Sequence, residues 1–193
     1  MRKLLITGFE PFGGEDINPS WEAVKKLPNV IGDYELFKLC IPVVFGEAVQ
    51  MVINKAEDIA PCAIVCVGQA GGRDAITPEL VGINLRNATI PDNKRNKPQD
   101  EQIIEGGACA FFSTLPVRKM AQAINDNGIK SHVSYSAGAY VCNDVLYTLL
   151  SYFNESEIKV AFIHVPYVNE QGKEPSMILD DIVRALTIAI ENI

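Results

Sequence analysis

Val133-Ser-Tyr-Ser-Ala-Gly-Ala-Tyr-Val-Cys142-Asn143 is the stretch whose reading decides the fold. It begins as a short β-prone run, turns through Ala137-Gly138-Ala139 and meets helical spacing at once, with Val145, Leu146, Leu149, Leu150 and Phe153 recurring at three- and four-residue steps. A strand and turn that hand over to a helix form the repeating unit of an α/β domain. Cys142 stands at the handover, where the partial positive charge of a helix N-terminus favours a thiolate, the nucleophilic form. The plainer reading is a buried core thiol, since free cysteine is usually interior.

Working outward, the same alternation covers the chain. Lys3–Thr7, Glu35–Ile41, Ala63–Val67 and Lys159–Val165 are short apolar runs of buried-strand type, and the third is apolar on both sides, hence central. Between them lie a short helix capped by Asn18-Pro19-Ser20 and ending near Leu27, and an amphipathic helix whose face is Phe45, Ala48, Val49, Val52, Ile53, Ala56 and Ile59. Further helices are expected over Val117–Asn127 and Pro175–Asn192, and Leu80–Leu85 is strand-like. Residues 91–107, with Pro91, Pro98, Asp92, Asn93, Asn96 and Gly106-Gly107, read as an irregular surface segment. The pattern implies a single domain over residues 1–193, a three-layer α/β/α sandwich around a largely parallel, mixed, twisted sheet.

With 193 residues and 48% hydrophobic content, the chain is long enough for one well-filled core and too short for two. A net charge of -7 argues against a nucleic-acid surface. The opening Leu4-Leu5-Ile6 is too short for a signal peptide or membrane span. Five cysteines, without the spacing of a disulfide framework, fit a reducing compartment, so a cytoplasmic protein is expected. Two histidines and no cysteine pair at zinc-ligand spacing make a structural metal improbable.

Two glycine-rich loops test for nucleotides and fail. Gly8-Phe-Glu-Pro-Phe-Gly-Gly14 imitates a phosphate loop, but Gly14 and Glu15 stand where a lysine and a hydroxyl residue are required, and Glu10, Glu15 and Asp16 would repel phosphate. Gly68-Gln-Ala-Gly-Gly-Arg73 has its glycines at the wrong offsets for a dinucleotide fingerprint. No cofactor is expected. Phe9 and Phe12 either anchor the first loop to the core or line an apolar pocket at the carboxyl end of the sheet, where open α/β folds place ligands.

A cysteine nucleophile needs a base. His164 ends the apolar strand Val160-Ala-Phe-Ile-His164, whereas His132 follows Lys130-Ser131 in polar surroundings. Glu79 closes Ile76-Thr-Pro-Glu79 beside apolar sequence, where a carboxylate is costly without a partner. Cys142, His164 and Glu79 each lie where a strand meets a loop, and carboxyl-terminal strand ends of a parallel sheet converge on one crevice. His164 would take the thiol proton, Glu79 would hold the imidazole tautomer, and Cys142 would form an acyl-enzyme.

Seven segments together resemble the pyroglutamyl peptidase I, or pyrrolidone-carboxylate peptidase, family over essentially the whole chain. They are Gly8–Gly14, Asn18-Pro-Ser-Trp21, Gly68–Arg73, Ile76–Glu79, Ile90-Pro-Asp-Asn93, Ser136-Ala-Gly-Ala-Tyr-Val-Cys-Asn143 and Phe162-Ile-His-Val-Pro166. The resemblance implies Cys142, His164 and Glu79 as a catalytic triad, peptides with an N-terminal pyroglutamate as substrates, and assembly as a homo-oligomer, a tetramer or dimer. It further implies that Phe9, Phe12, Tyr140, Val141 and Ile90 line a lactam pocket and that backbone at Gln69 bonds the ring. A flat, uncharged five-membered lactam suits aromatic walls with a few polar groups.

Two positions depart from the family pattern. Leu80 follows the glutamate where a basic residue is usual, and Thr89 precedes Ile90-Pro-Asp where an arginine is usual. Arg73 and Arg86 are the candidate substitutes for that arginine. The stretch between Tyr167 and Pro175 is short beside the family. The competing expectation is a weakly active or non-catalytic relative that binds pyroglutamyl or other small amide ligands.

Overall fold

The computed structural model describes residues 1–193. In chain order it comprises β1 (Arg2–Phe9), α1 (Pro19–Lys26), β2 (Val30–Ile31), β3 (Tyr34–Ile41), α2 (Glu47–Ile59), β4 (Ala63–Gln69), β5 (Thr77–Pro78), β6 (Val81–Ile83), β7 (Ala110–Phe112), α3 (Val117–Asp126), α4 (Val141–Tyr152), β8 (Lys159–Val165), β9 (Tyr167–Val168), β10 (Ser176–Met177) and α5 (Leu179–Glu191). The main sheet has the order β2-β3-β1-β4-β8-β5. β3, β1, β4 and β8 run parallel, while β2 and β5 are antiparallel at the two edges.

Alternation along the strands builds three layers. Leu4 and Ile6, Val65 and Val67, and Ala161, Ile163 and Val165 face one cluster with Ala23 and Val24 of α1, Met120 and Ile124 of α3, and Ile182, Ala185 and Leu186 of α5. Leu5, Ile64, Cys66, Val160 and Phe162 face the other, with Val49, Val52 and Ala56 of α2 and Val145, Leu146 and Leu149 of α4. Period-two alternation carries apolar residues to both faces because both are roofed by helices. No helix is long and apolar enough to cross a membrane.

The structure amends four sequence expectations. The run from Val133 joins its neighbour only through isolated bridges, Ile76 to Ser131 and Glu79 to Ser134. The strand expected over Leu80–Leu85 shortens to β6, which leaves the main sheet and pairs with β7. The last helix begins at Leu179, because Ser176 and Met177 pair with Tyr167 and Val168. The irregular segment from residue 91 is organised around buried Asp92, whose carboxylate accepts from the N–H groups of Phe45, Lys94 and Asn96.

Where β1 passes α1, only a glycine fits. A Cβ on Gly8 would lie 2.6 Å from Trp21 Cα and 2.7 Å from Trp21 N, both backbone atoms that cannot swing aside. Gly8→Ala is therefore expected to lower folding stability by about 1–3 kcal/mol, the range for overpacking a filled interior. Urea unfolding followed by circular dichroism checks this, and an unchanged midpoint would contradict it.

Candidate active site

The carboxyl ends of β1, β4 and β8 place Phe9, Gln69 and His164 along one rim of the sheet. In the β4–β8 ladder Gly68 stands directly beside His164. The N-terminus of α4 rests on that glycine, since a Cβ there would be 2.9 Å from Cys142 Sγ and 2.7 Å from Phe162 Cζ. Thiol and imidazole thus share Gly68 as a neighbour.

β5 brings in the third group. Thr77 pairs with His164 in the sheet, and two residues on, fully buried Glu79 accepts a hydrogen bond from His164 Nδ1 at 2.7 Å. A carboxylate only accepts, so Nδ1 carries the proton and Nε2 is the basic nitrogen. Arg73 closes the back of the site, with one guanidinium nitrogen 2.6 Å from the same Glu79 oxygen and 2.6 Å from the Thr77 hydroxyl, and the other donating to the Ser136 carbonyl. The His132 side chain is exposed and makes no hydrogen bond to this group, although it borders a surface cleft with Arg73.

Burial governs the protonation states. It pushes the Cys142 thiol up to about 12, aided by the Glu79 carboxylate and opposed by Arg73. It also pulls His164 below its ordinary value, against the hydrogen bond and charge of Glu79. Burial alone would raise the Glu79 carboxyl, but His164, Ser134 and Arg73 outweigh it and hold the acid below its usual range. These shifts favour a neutral thiol, a neutral imidazole and an ionised carboxylate. The thiolate expected from the helix N-terminus is not the resting form, because desolvation in an apolar wall outweighs the helix dipole.

Next to the thiol is a small cavity of about 40 Å³ lined by Phe9, Phe12, Asn18, Val43, Gln69, Tyr140, Val141 and Cys142. It shares Phe12, Gln69 and Tyr140 with a wider outer cleft of about 610 Å³, bordered also by Asn87, Thr89, Ile90 and Tyr167. The inner space is narrow and mostly apolar, and the outer cleft opens beside it. Phe9 both packs against Phe162 and lines the cavity, so the two readings of that aromatic are compatible.

A sequence model of the pyroglutamyl peptidase family matches residues 2–193. The chain belongs to the pyroglutamyl peptidase family. It is 46% identical over 197 residues to pyrrolidone-carboxylate peptidase from Yersinia pestis (strain Pestoides F), covering 98% of this chain and 92% of the relative. Among solved structures, pyroglutamyl peptidase I from Bacillus amyloliquefaciens superposes with a TM-score of 0.96 at 43% identity, covering 100% of this chain and 96% of that one. Pyrrolidone carboxyl peptidase from Thermococcus litoralis gives 0.94 at 37% identity, covering 99% and 92%. Like its relatives, this pyroglutamyl peptidase family member is a peptidase with an α/β fold.

Cys142, His164 and Glu79 are brought together, and Phe9, Phe12, Gln69, Tyr140 and Val141 line the inner cavity. Ile90 borders only the outer cleft, 44% exposed. Asn18 and Val43 were not among the pocket residues expected from sequence. Asn18 was legible as a helix cap, and it does cap α1 by accepting from Ser20 N, but nothing in the pattern marks a cap as a cavity wall. The two arginines also separate. Arg73 backs Glu79, whereas Arg86 is tied to fully buried Asp144, with contacts of 2.7 and 2.6 Å, and is not free to turn toward the thiol.

These protonation states link stability to pH. The His164 pKa is lowered on folding, so its contribution is present above the unfolded value of 6.5 and lost as pH falls through the folded value. The Cys142 pKa is raised, so its contribution is present below the unfolded value of 9.0 and lost as pH climbs toward about 12. Melting temperature should accordingly be highest between these limits. Cys142→Ser should lose less stability than wild type between pH 9 and 11, and equal alkaline losses in the two proteins would contradict the assignment.

Proposed function

We propose that this chain removes an N-terminal pyroglutamyl residue from peptides, with Cys142 as nucleophile, His164 as general base and then acid, and Glu79 as the group that orients His164. The observation that carries the reading is the 2.7 Å Glu79–His164 bond beside the glycine on which the thiol also rests, at the wall of a small, mostly apolar cavity. The names of the relatives point to the same acyl group.

The chemistry follows from the resting protonation states. With both partners neutral, the thiol proton passes to His164 Nε2 as the sulfur attacks the substrate carbonyl, so nucleophile and imidazolium form together. Glu79 stabilises that imidazolium, and Arg73 keeps Glu79 ionised. The tetrahedral oxyanion needs donors. The first N–H groups of α4, from Val141 to Asn143, have no partner within the helix and lie beside the sulfur. Collapse of the intermediate breaks the C–N bond, His164 protonates the departing amine, and a water activated by the same nitrogen hydrolyses the thioester. Thr89 is exposed at the outer cleft and Arg86 is held by Asp144, so these backbone donors take the oxyanion role.

Five free thiols fit a reducing, cytoplasmic setting. Phe112 and Tyr135, 68% and 65% exposed, fit a face covered in a homo-oligomer.

Release of a chromogenic amine from a pyroglutamyl amide tests the reading. Cys142→Ser and His164→Ala should lose at least about 10³-fold in kcat/KM while remaining folded, as expected for members of one catalytic unit. His132→Ala should stay within about twofold of wild type, as for an exposed side chain outside that unit. Substrate binding without amine release by the wild-type protein would favour a binding-only relative. Equal losses in the two histidine variants would overturn the choice of base.

A further inference from the structure

Behind the inner cavity lies a polar cluster that the reaction above does not use. Gln171, in the short helical turn Asn169–Gln171 after β9, is half-buried and makes three hydrogen bonds. Its amide oxygen accepts from Val168 N at 3.1 Å. Its amide nitrogen donates to Glu15 Oε2 at 3.1 Å and to Gln69 Oε1 at 3.0 Å. Glu15 is in turn paired with Lys173.

This arrangement has only one consistent orientation. A backbone N–H only donates and a carboxylate only accepts, so Val168 and Glu15 dictate which end of the Gln171 amide faces each of them. The nitrogen of Gln171 is thereby aimed at Gln69, and Gln69 must meet it with its oxygen. The Gln69 amide nitrogen is left with no hydrogen bond in the chain. It is not among the buried unpartnered atoms, and the residue lines both the inner cavity and the outer cleft. The cluster therefore presents a free N–H₂ group to an otherwise largely apolar cavity. A ring carbonyl complements such a donor, and a ring lacking one would leave it unsatisfied.

We infer that Gln171 is a positioning residue that turns the Gln69 side-chain amide, so that Gln69 donates a hydrogen bond to the lactam carbonyl of the substrate. This deepens the proposed function and rests on it. Glu15 and Lys173 set the orientation of Gln171, and through it the discrimination between a pyroglutamyl ring and a ring without the carbonyl.

The test separates amide orientation from general damage. Wild-type amine release from a pyroglutamyl amide, abolished in Cys142→Ser, first establishes the activity, and its absence would sink the proposed function itself. Gln171→Glu puts an acceptor where Gln69 now finds a donor, so Gln69 should reverse and offer its oxygen to the ring carbonyl. KM is expected to rise at least tenfold, with kcat within threefold of wild type. Inhibition by 2-pyrrolidone, the ring alone, should weaken by a similar factor.

The new carboxylate also faces Glu15, and Glu15→Gln in the same chain removes that repulsion. The double variant should recover melting temperature and retain the raised KM, because Gln69 still meets a carboxylate. Recovery of KM together with stability would overturn the inference, since the effect would then be charge repulsion alone. A fall in kcat with KM unchanged in Gln171→Glu would overturn it as well.

Discussion

The arrangement depends on the parallel contact between β4 and β8, at the point where Gly68 lies beside His164. A side chain at position 68 would occupy the space of the Cys142 sulfur and the Phe162 ring. Without one, α4 settles its first turn directly on the sheet, and the thiol rests on the residue that pairs with His164. Everything that follows in the site uses this approach. The same strand ends in Gln69 at the cavity wall, and the same ladder leads through Thr77 to the carboxylate behind the histidine.

Electrostatics then divides the labour within a small volume. The groups that change protonation in the proposed reaction, Cys142 and His164, sit where burial favours their neutral forms. Glu79, which stays charged in that proposal, is fully buried but receives both Arg73 and His164 on one oxygen. Breaking a buried charge pair by removing one partner is strongly destabilising, so Arg73 supports the site through Glu79 without needing to touch substrate. Arg86 does the same for buried Asp144 in the first turn of α4. Two arginines that look interchangeable in sequence are thus committed to two different buried carboxylates.

The central strands and the helices were legible in the sequence, because Leu4–Ile6, Ala63–Val67 and Val160–Ile163 are unbroken apolar runs and the helices carry 3.6-residue periodicity. The proposed triad was suggested for a related reason, since each candidate lies where a strand meets a loop in a fold whose strand ends converge. What escaped has no local signal. β5 is two residues long and contains a proline, tolerated because it is an edge strand. β6 leaves the main sheet for a partner nearly thirty residues on, a choice set by tertiary packing. The thiolate expectation failed because a helix N-terminus can be read from spacing, whereas desolvation of the sulfur depends on Phe162, Gly68 and Cys66 from other strands. The Gln69–Gln171–Glu15 cluster joins three distant segments through uncharged and charged side chains with no shared pattern.

The central claim is that the sulfur of Cys142 carries the acyl group between peptide and water. Rapid acid quenching of the enzyme during turnover of an activated pyroglutamyl ester, followed by mass analysis of the intact chain and its peptides, tests it most directly. The account predicts a mass increment of one pyroglutamyl group, located on the peptide containing Cys142, formed by wild type and absent in His164→Ala. Steady turnover with the increment on another cysteine, or an increment that forms equally without the His164 imidazole, would contradict it.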